Sequence, residues 1–277
     1  MTFEIKFNNK WIDNINNYKD LFKNAKPYSH VIIDNFFDDE TINMIIKEFP
    51  LPHKTINNYD WKYYHNPIEH KYTLNDFQKL PIIKKVFDKL NDNETINYLK
   101  QITDIDNLEY DPYLHGAGIH AYPNKGKLDI HLDYNIHPIS KKERRINLII
   151  YLNENWKDEY GGFLELYDEK RENPIQIKPS FNSAIIFKTN DISYHGLPNK
   201  IICDDNNYRK SLANYYISDI SDKNNNLNRF KAEYYPRKDQ IVSDKLKKLY
   251  EIRKTRIITK EDLNDWENWE NEGGIYW

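Results

Sequence analysis

The stretch GIHAYPNKGKLDIHLDYNIHP, residues 118–138, is where the character of the sequence changes. Short apolar runs begin here, and turns rich in Gly, Pro and Asn separate them. About eight such runs follow one another within roughly a hundred residues, a spacing typical of an all-β sandwich or barrel. The runs are GIHAYP, KLDIHLD, RRINLIIYLN, GFLELYD, PIQIKP, NSAIIFKT, SYHGLP and YRKSLANYYIS.

The part of the chain before these runs has a different pattern. Residues 30–37 are β-branched and aromatic and predict a strand, after which Asp38 or Asp39 can cap a helix. Residues 80–103 keep helical spacing and predict one or two helices. Residues 51–79 are aromatic and polar, and we expect them to be irregular.

The sequence after the apolar runs returns to a charged, helix-like pattern, with one amphipathic stretch around Leu246, Leu249 and Ile252. We therefore divide one domain into three regions. Residues 1–110 are a supporting region of a strand and helices, 111–220 are the β core, and 221–277 are a C-terminal helical extension. The Trp-rich end, WENWENEGGIYW, either packs on the barrel or binds a partner.

Composition excludes several classes of protein. The formal net charge of −3 over 277 residues gives no global positive field for binding nucleic acid. The single cysteine, Cys203, excludes an internal disulfide framework and a Cys-based zinc site. The first residues lack the apolar stretch of a signal peptide, and no apolar run is long enough to span a bilayer. We expect a cytoplasmic protein without membrane contact; its oligomeric state is left open.

Three side chains within the predicted strands form a candidate metal site. His131 and Asp133 are two residues apart, so both point to the same face of one strand. His195 lies on another predicted strand, which a barrel can bring alongside the first. Two imidazoles and one carboxylate on one face are the facial triad that holds non-haem Fe(II) and leaves coordination positions open.

A fourth charged residue, Arg209, lies on the last predicted strand and shares a face with Ser211. A buried arginine is costly unless it is paired, and its planar guanidinium suits a carboxylate. A dicarboxylate that chelates the metal at one end would supply that partner at the other end. Tyr151, in the run IIYLN, could add its phenol to the same carboxylate or could be plain core.

The order His-x-Asp, IYLN-x-x-W, Gly-Gly-x-Leu-x-Leu, Tyr-His-Gly and Arg-x-Ser resembles the prolyl-4-hydroxylase-like Fe(II)/2-oxoglutarate dioxygenases. The resemblance covers roughly residues 110–220, and the segment HVIIDNFF extends it to about residue 30. It implies an α+β, mainly β fold: a double-stranded β-helix, or jelly roll, with supporting N-terminal helices and a C-terminal helical tail.

The resemblance also implies residue roles. Fe(II) would bind His131, Asp133 and His195, which are the implied catalytic residues, and 2-oxoglutarate would bind Arg209. Tyr151 and Ser211 would assist, and Tyr122, in HAYPNKG, would lie near the cosubstrate. Dioxygen is the second cosubstrate, and ascorbate is left open as an added reductant. Related halogenases have a small residue where this sequence has Asp133, so we expect hydroxylation.

Other polar residues have plainer interpretations. We expect His137, which precedes Pro138, to be a loop residue and no ligand. His115 and His120 are interpreted as structural or supporting, and the charge run KKERR, residues 141–145, as a solvated hairpin.

Several functions remain open at the level of the sequence. Within the hydroxylases, the substrate is a prolyl or other peptidyl residue, or else a small molecule such as a free amino acid or a sugar intermediate. A nucleic-acid demethylase is disfavoured because the run RKSLANY lacks the second arginine that related demethylases have in an Arg-x-Asn-x-Thr-x-Arg run. A non-catalytic binding barrel and a cupin-like barrel with another metal are the alternatives of a different class.

Overall fold

A computed structural model describes residues 3–221, 227–238, 240–264 and 266 of the chain. The strands of its first half are β1 (His30–Ile33), β2 (Lys62–Asn66), β3 (Glu69–Leu74), β4 (Glu109–Tyr110), β5 (Gly118–Tyr122), β6 (Lys127–Leu132) and β7 (Glu143–Tyr151). The later strands are β8 (Leu164–Tyr167), β9 (Ile175–Ile177), β10 (Ala184–Lys188), β11 (Tyr194–Leu197), β12 (Arg209–Ser218) and β13 (Glu233–Tyr234).

Helices surround this sheet. They are α1 (Asn9–Ile12), α2 (Ile15–Asn24), α3 (Asp39–Glu48), α4 (Pro52–Thr55), α5 (Pro81–Leu90), α6 (Asn93–Thr103) and α7 (Asp244–Thr255). Short 3₁₀ turns lie at Asp158–Tyr160 and Glu261–Leu263. None of the helices in the described ranges is long and apolar enough to cross a membrane.

The strands form one antiparallel sheet whose order is β1-β10-β7-β12-β5-β3-β6-β11-β8-β9. Three further strands pair off this path: β2 with β3, β4 with β12, and β13 with β6. One edge of β3 pairs with β2; along the other edge its end at Tyr72–Leu74 pairs with β5 and its start at Glu69 and His70 pairs with β6, so β3 joins the two halves of the sheet. The sheet curls into a half-barrel, and the predicted mainly β jelly-roll fold is confirmed. All eight strands expected from the apolar runs are present.

Alternation along the strands separates two apolar cores. In β7, Ile146, Leu148 and Ile150 point outward and pack with the N-terminal helices. Ile149 and Tyr151 point into the barrel, where they join the second cluster. Because successive side chains of a strand face opposite sides, one strand supplies both the support and the lining of the site.

The N-terminal helices begin where the sequence indicates. The carboxylate of Asp38 accepts a hydrogen bond from the Thr41 amide at 2.8 Å and caps α3, which confirms one of the two predicted caps. The predicted helical region 80–103 is two helices, and Asp92 caps the second through the Thr95 amide at 2.7 Å. The predicted strand at residues 30–37 is shorter than expected, since β1 ends at Ile33 and the chain turns at Asn35.

The expectation that residues 51–79 are irregular is wrong. This region holds α4 and the β2–β3 hairpin, and β3 is a central strand of the sheet. The hairpin shows no apolar alternation because most of its side chains are half-buried or exposed. Its strands are instead joined by cross-strand aromatic pairs, such as Tyr63 stacked on Tyr72 with ring centroids 4.3 Å apart.

The C-terminal region folds back over the barrel. Leu246 and Leu249 of α7 are buried in the inner core, and Ile252 is partly buried beside them. Of the Trp-rich end WENWENEGGIYW, only Trp266 lies within the described residues; residues 267–277 lie outside them.

An irregular pairing between β6 and β11 requires a glycine. His195 pairs with His131 and Leu197 pairs with Leu128, so β6 has one residue more than β11 between these pairs. Gly196 lies opposite this bulge. A Cβ on Gly196 would lie 2.9 Å from the carbonyl oxygens of both Leu128 and Asp129. Only a residue without a side chain fits between the two backbones.

Replacing Gly196 should therefore destabilise the barrel. We expect Gly196→Ala to lower the free energy of unfolding by about 2–3 kcal/mol, because the backbones of β6 and β11 must move apart. Lys23→Ala, at an exposed position of α2, is the control and should change the free energy of unfolding by less than about 0.5 kcal/mol. Urea denaturation measures both, and a Gly196→Ala variant as stable as the control would contradict the close approach.

Candidate functional site

Two histidines face each other across a pair of strands inside the barrel. His131 of β6 and His195 of β11 are paired in register, and their ring centroids lie 4.3 Å apart. Asp133 lies one residue beyond the end of β6. Its Oδ1 is 3.8 Å from Nε2 of His131, and its Oδ2 is 3.4 Å from Nε2 of His195. The structure thus brings the three predicted ligands together, with one ligand atom of each within 4.8 Å of the others.

The two imidazoles are held in the tautomer that a metal requires. Nδ1 of His131 lies 2.9 Å from the carbonyl oxygen of Asp129, and Nδ1 of His195 lies 2.9 Å from that of Ser193. A carbonyl only accepts, so each Nδ1 carries the proton and each Nε2 presents its lone pair to the shared space. Such a hydrogen bond is the usual support of a metal-binding histidine.

One oxygen of Asp133 is already engaged by neighbouring side chains. Nδ2 of Asn147 donates to Oδ2 of Asp133 at 2.7 Å, and Nη2 of Arg144 lies 3.0 Å from the same oxygen. Nε and Nη2 of Arg144 in turn donate to Oδ1 of Asn147, at 2.9 and 2.7 Å. The carboxylate is therefore fixed through Oδ2, which leaves Oδ1 free as a single ligand atom.

A bulge in β7 brings Arg144 and Asn147 to the same face. Residues three apart on a regular strand point to opposite sides. In the pairing with β12, however, Ile146 is opposite Tyr216 and Arg144 is opposite Ile217, so Arg145 is an extra residue. This shifts the alternation by one, and both side chains reach Asp133. The guanidinium of Arg144 also lies over the ring of Tyr215, 3.5 Å from its centroid.

The interpretation of KKERR as a solvated hairpin is wrong for two of its residues. Glu143 and Arg144 are buried, and β7 begins at Glu143. Arg144 and Asn147 are the residues of the site that the sequence analysis missed. The only signal was an arginine and an asparagine beside an otherwise apolar run, which gives no indication of the bulge.

Arg209 is a buried cation without a carboxylate partner among the described residues. Its Nε donates to the carbonyl oxygen of Gly162 at 2.6 Å. Its guanidinium lies 5.3 Å from the ring centroid of Tyr122 and 5.0 Å from that of Tyr151. The Tyr151 hydroxyl is buried and makes no hydrogen bond to another described group. Burying a cation and a hydroxyl in this way is costly unless an anion joins them.

The histidines, Asp133 and Arg209 all line one cavity of about 370 Å³. Tyr122 and Ser211 also line it; Tyr151 is not itself a lining residue but lies beside the guanidinium of Arg209 and is paired with Ser211. The outer wall was not foreseen: it comes from the β2–β3 hairpin, from residues 230–234 and from α7. The hairpin and α7 are joined at buried Glu69, whose Oε1 accepts a hydrogen bond from Nε of Arg253 at 3.1 Å.

The other histidines do not join the cluster. His137 is fully buried, and its Nε2 lies 3.2 Å from Oδ1 of Asp111. Its Nδ1 accepts hydrogen bonds from the amides of Ile139 and Ser140, so it fixes the loop that follows Asp133. His115 and His120 line the cavity at a distance from the triad, and the metal cluster found in the described part of the chain includes neither.

Burial sets the protonation states in the cavity. It lowers the pKa of His131 to about 3, and it also lowers the pKa of His195. Burial is the largest influence and alone would raise the pKa of Asp133, but Arg144, the two histidines and the hydrogen bond from Asn147 together outweigh it and hold that pKa well below its usual range. Near neutral pH the site therefore presents two neutral imidazoles and one carboxylate, which is the form that binds a metal ion.

These residues fit a divalent metal and a dicarboxylate. Ligand atoms about 2.1 Å from one metal ion lie about 3 Å apart when their bonds are at right angles. The oxygens of Asp133 lie somewhat farther, 3.4 and 3.8 Å, from the imidazole nitrogens. Two nitrogens and one oxygen on one side leave the other positions open, as in non-haem Fe(II) oxygenases. The guanidinium of Arg209, which has no carboxylate partner within the described ranges, and the buried hydroxyl of Tyr151 beside it suit the far carboxylate of a ligand that also reaches the metal.

Comparison with known families supports the same chemistry. Residues 117–217 match the model of a family described as the 2OG-Fe(II) oxygenase superfamily, and this segment contains the triad and Arg209. No curated protein matches the sequence.

Solved structures share the fold at low sequence identity. A prolyl hydroxylase from Trichoplax adhaerens, in complex with a hypoxia inducible factor peptide fragment, has a TM-score of 0.55 and 15% identity; the match covers 76% of this chain and 94% of that one. A prolyl-4-hydroxylase from Pseudomonas putida has a TM-score of 0.54 and 12% identity over 74% of this chain and 100% of its own. An oxidoreductase of the 2OG-Fe(II) oxygenase family from Burkholderia pseudomallei has a TM-score of 0.52 and 12% identity; the match covers 75% of this chain and 94% of that one.

The buried imidazoles predict a pH dependence of stability. The unfolded chain takes up protons near pH 6.5, whereas the pKa of His131 in the folded state is about 3. The unfolded state then binds more protons between these values, so the free energy of unfolding of the metal-free protein should fall as the pH drops from about 6.5 towards 3. Urea denaturation at several pH values measures it. His131→Gln should make the decline less steep, and a free energy that stays constant down to pH 4 would contradict the assignment.

Proposed function

We propose that this protein hydroxylates a C–H bond of a prolyl or other peptidyl residue. Residues 117–217 match the 2OG-Fe(II) oxygenase family, and the chain is a dioxygenase that uses Fe(II), 2-oxoglutarate and dioxygen. The observation that carries the proposal is a single cavity in which His131, Asp133 and His195 lie beside an unpaired, buried Arg209. One barrel could therefore hold both ends of the cosubstrate, which supports the proposal.

We assign the metal to Nε2 of His131, Nε2 of His195 and Oδ1 of Asp133. The hydrogen bonds that Asn147 and Arg144 direct to Oδ2 keep the carboxylate a one-atom ligand, so that open positions remain on the metal. The bound iron, with 2-oxoglutarate and dioxygen, supplies the oxidation that converts a C–H bond into an alcohol. Asp133 is required for this set, and its presence favours hydroxylation over halogenation.

We assign the far carboxylate of 2-oxoglutarate to Arg209. Tyr151 donates its hydroxyl to the same carboxylate, and burial, which raises the pKa of Tyr151 to about 12, keeps that proton in place. Ser211 faces Tyr151 across β7 and β12 and lines the cavity, where its hydroxyl assists. Tyr122 and Tyr151 cover the guanidinium and exclude water from the ion pair, which strengthens it.

A peptidyl substrate is supported by the mouth of the cavity and by the structural neighbours. The lining includes two exposed aromatic residues, Tyr113 and Phe230, whose relative exposures are 50% and 43%. Exposed aromatic side chains beside a deep cavity can contact the backbone and flanking residues of a polypeptide while one of its side chains enters the cavity. Two of the neighbours with this fold are prolyl hydroxylases, and one of them is in complex with a peptide.

The first test is formation of succinate from 2-oxoglutarate by the purified protein loaded with Fe(II) under anaerobic conditions and then exposed to oxygen. We expect slow turnover without substrate, which Asp133→Ala abolishes together with iron binding. Asp205→Ala, which removes an exposed carboxylate away from the cavity, should retain both. If Asp133→Ala retained both turnover and iron binding, Asp133 would not be a ligand of the metal.

Arg209 gives an independent test of the cosubstrate site. Arg209→Gln should weaken 2-oxoglutarate binding by about 3 kcal/mol, or roughly 100-fold, because a buried carboxylate loses its charged partner. Isothermal titration of the Mn(II)-loaded protein with 2-oxoglutarate measures the affinity. Lys210→Gln removes the same charge from the next residue, which points to the opposite face of β12 and does not line the cavity. Equal affinities of the two variants would contradict the assignment.

A further inference from the structure

The charges that face the cavity are mostly positive. Although the chain as a whole carries 40 basic and 43 acidic residues, the cavity lining holds six basic side chains and two acidic ones. The basic residues are Lys62, Lys71, Arg144, Arg209, Lys231 and Arg253, and the acidic residues are Glu69 and Asp133. The lining of the cavity is therefore positive although the chain as a whole is slightly acidic.

Part of this charge is already neutralised inside the protein. Arg144 pairs with Asp133 at 3.0 Å, and Arg253 pairs with Glu69 at 3.1 Å. Lys71 lies 3.7 Å from the other oxygen of Glu69 and shares that carboxylate with Arg253. One carboxylate thus faces two cations, and the guanidinium of Arg209 is assigned to the cosubstrate.

Two lysines at the mouth have no partner among the residues that the structure describes. Lys62, at the start of β2, and Lys231, two residues before β13, are exposed, and neither makes an ion pair or a side-chain hydrogen bond within those residues. They come from distant parts of the chain, the hairpin and the C-terminal segment, yet both border the same opening. With Lys71 they leave a net positive rim outside the metal and cosubstrate sites.

The size of the cavity places the recognition of a large substrate at this rim. A volume of about 370 Å³ is near the lower end for small-molecule sites. It must hold 2-oxoglutarate, so little more than one substrate side chain can enter. The remainder of a polypeptide would lie across the mouth, in contact with the lysines and with exposed Tyr113 and Phe230.

We propose that the substrate is an acidic peptide segment, in which Asp or Glu residues flanking the hydroxylated residue contact Lys62, Lys71 and Lys231. This rests on the proposed peptidyl hydroxylase function and names its specificity. Complementary charge at a rim steers association and rejects partners of the same sign. A basic or neutral segment would leave Lys62 and Lys231 without an acidic partner and would gain nothing from the charge of the rim.

Binding of three fluorescein-labelled peptides to the full chain, loaded with Mn(II) and 2-oxoglutarate and without oxygen, tests this by fluorescence anisotropy. The peptides share a central proline and differ in their flanks, which are Asp and Glu, Asn and Gln, or Lys and Arg. We expect the acidic peptide to bind most tightly and its affinity to fall as NaCl is added. The double variant Lys62→Gln/Lys231→Gln should bind it roughly threefold to tenfold more weakly, the effect of losing two rim charges.

The matched control is Lys23→Gln/Lys47→Gln, which removes two exposed lysines of α2 and α3 outside the cavity and should bind the acidic peptide like the wild type. Equal binding of the three peptides, or equal affinities of the two double variants, would overturn the proposal. So would displacement of the acidic peptide by free glutamate at equal concentration, which would indicate a small anionic substrate. If the peptides failed to discriminate but the protein still turned over 2-oxoglutarate, only the acidic-peptide specificity would be wrong. If the wild-type protein did not turn over 2-oxoglutarate, the oxygenase function would be wrong as well.

Discussion

The pairing of β6 with β11 is the constraint on which the rest of the site depends. It places His131 directly opposite His195, and the bulge beside this pair keeps Leu128 on the same inner face as His131. Gly196 is the residue that lets the two backbones approach so closely. Because the carbonyls of Asp129 and Ser193 fix both rings, the geometry of the two nitrogen ligands is set by backbone and not by flexible side chains. A site held this way is organised before any metal binds.

The barrel interior buries charge to a degree that stability alone would not favour. Asp133 and Arg144 form an ion pair inside it, and Arg209 is buried without an acidic partner in the described residues. Replacing such groups by apolar side chains is often neutral or stabilising, so buried charge is weak evidence for a stabilising role. In the proposed function each charge has a chemical use: Arg144 would orient the carboxylate of a metal ligand, and Arg209 would bind the carboxylate of the cosubstrate. The interior is therefore arranged around binding, and the outer core of helices and β7 supplies the stability.

One regularity, the alternation of side chains along a strand, lets the sequence predict both the strands and the triad. Alternation makes the barrel strands visible, and a His-x-Asp spacing on a strand puts both ligands on one face. This alternation fails to predict that Arg144 and Asn147 share a face, because the bulge at Arg145 shifts it and no local sequence pattern indicates the bulge. The β2–β3 hairpin escapes detection because it is held by aromatic pairs and half-buried on both faces. The contact of Arg253 with Glu69 joins residues far apart in the chain, which only the folded structure can show.

In the proposed function, one barrel holds a metal ion on three side chains and a dicarboxylate on Arg209. The most direct measurement is a crystal structure of the protein grown with Mn(II) and 2-oxoglutarate without oxygen. We predict the metal between Nε2 of His131, Nε2 of His195 and Oδ1 of Asp133, with the far carboxylate of 2-oxoglutarate on the guanidinium of Arg209 and the hydroxyl of Tyr151. A metal bound elsewhere, or a cosubstrate that leaves Arg209 unpaired, would contradict the account.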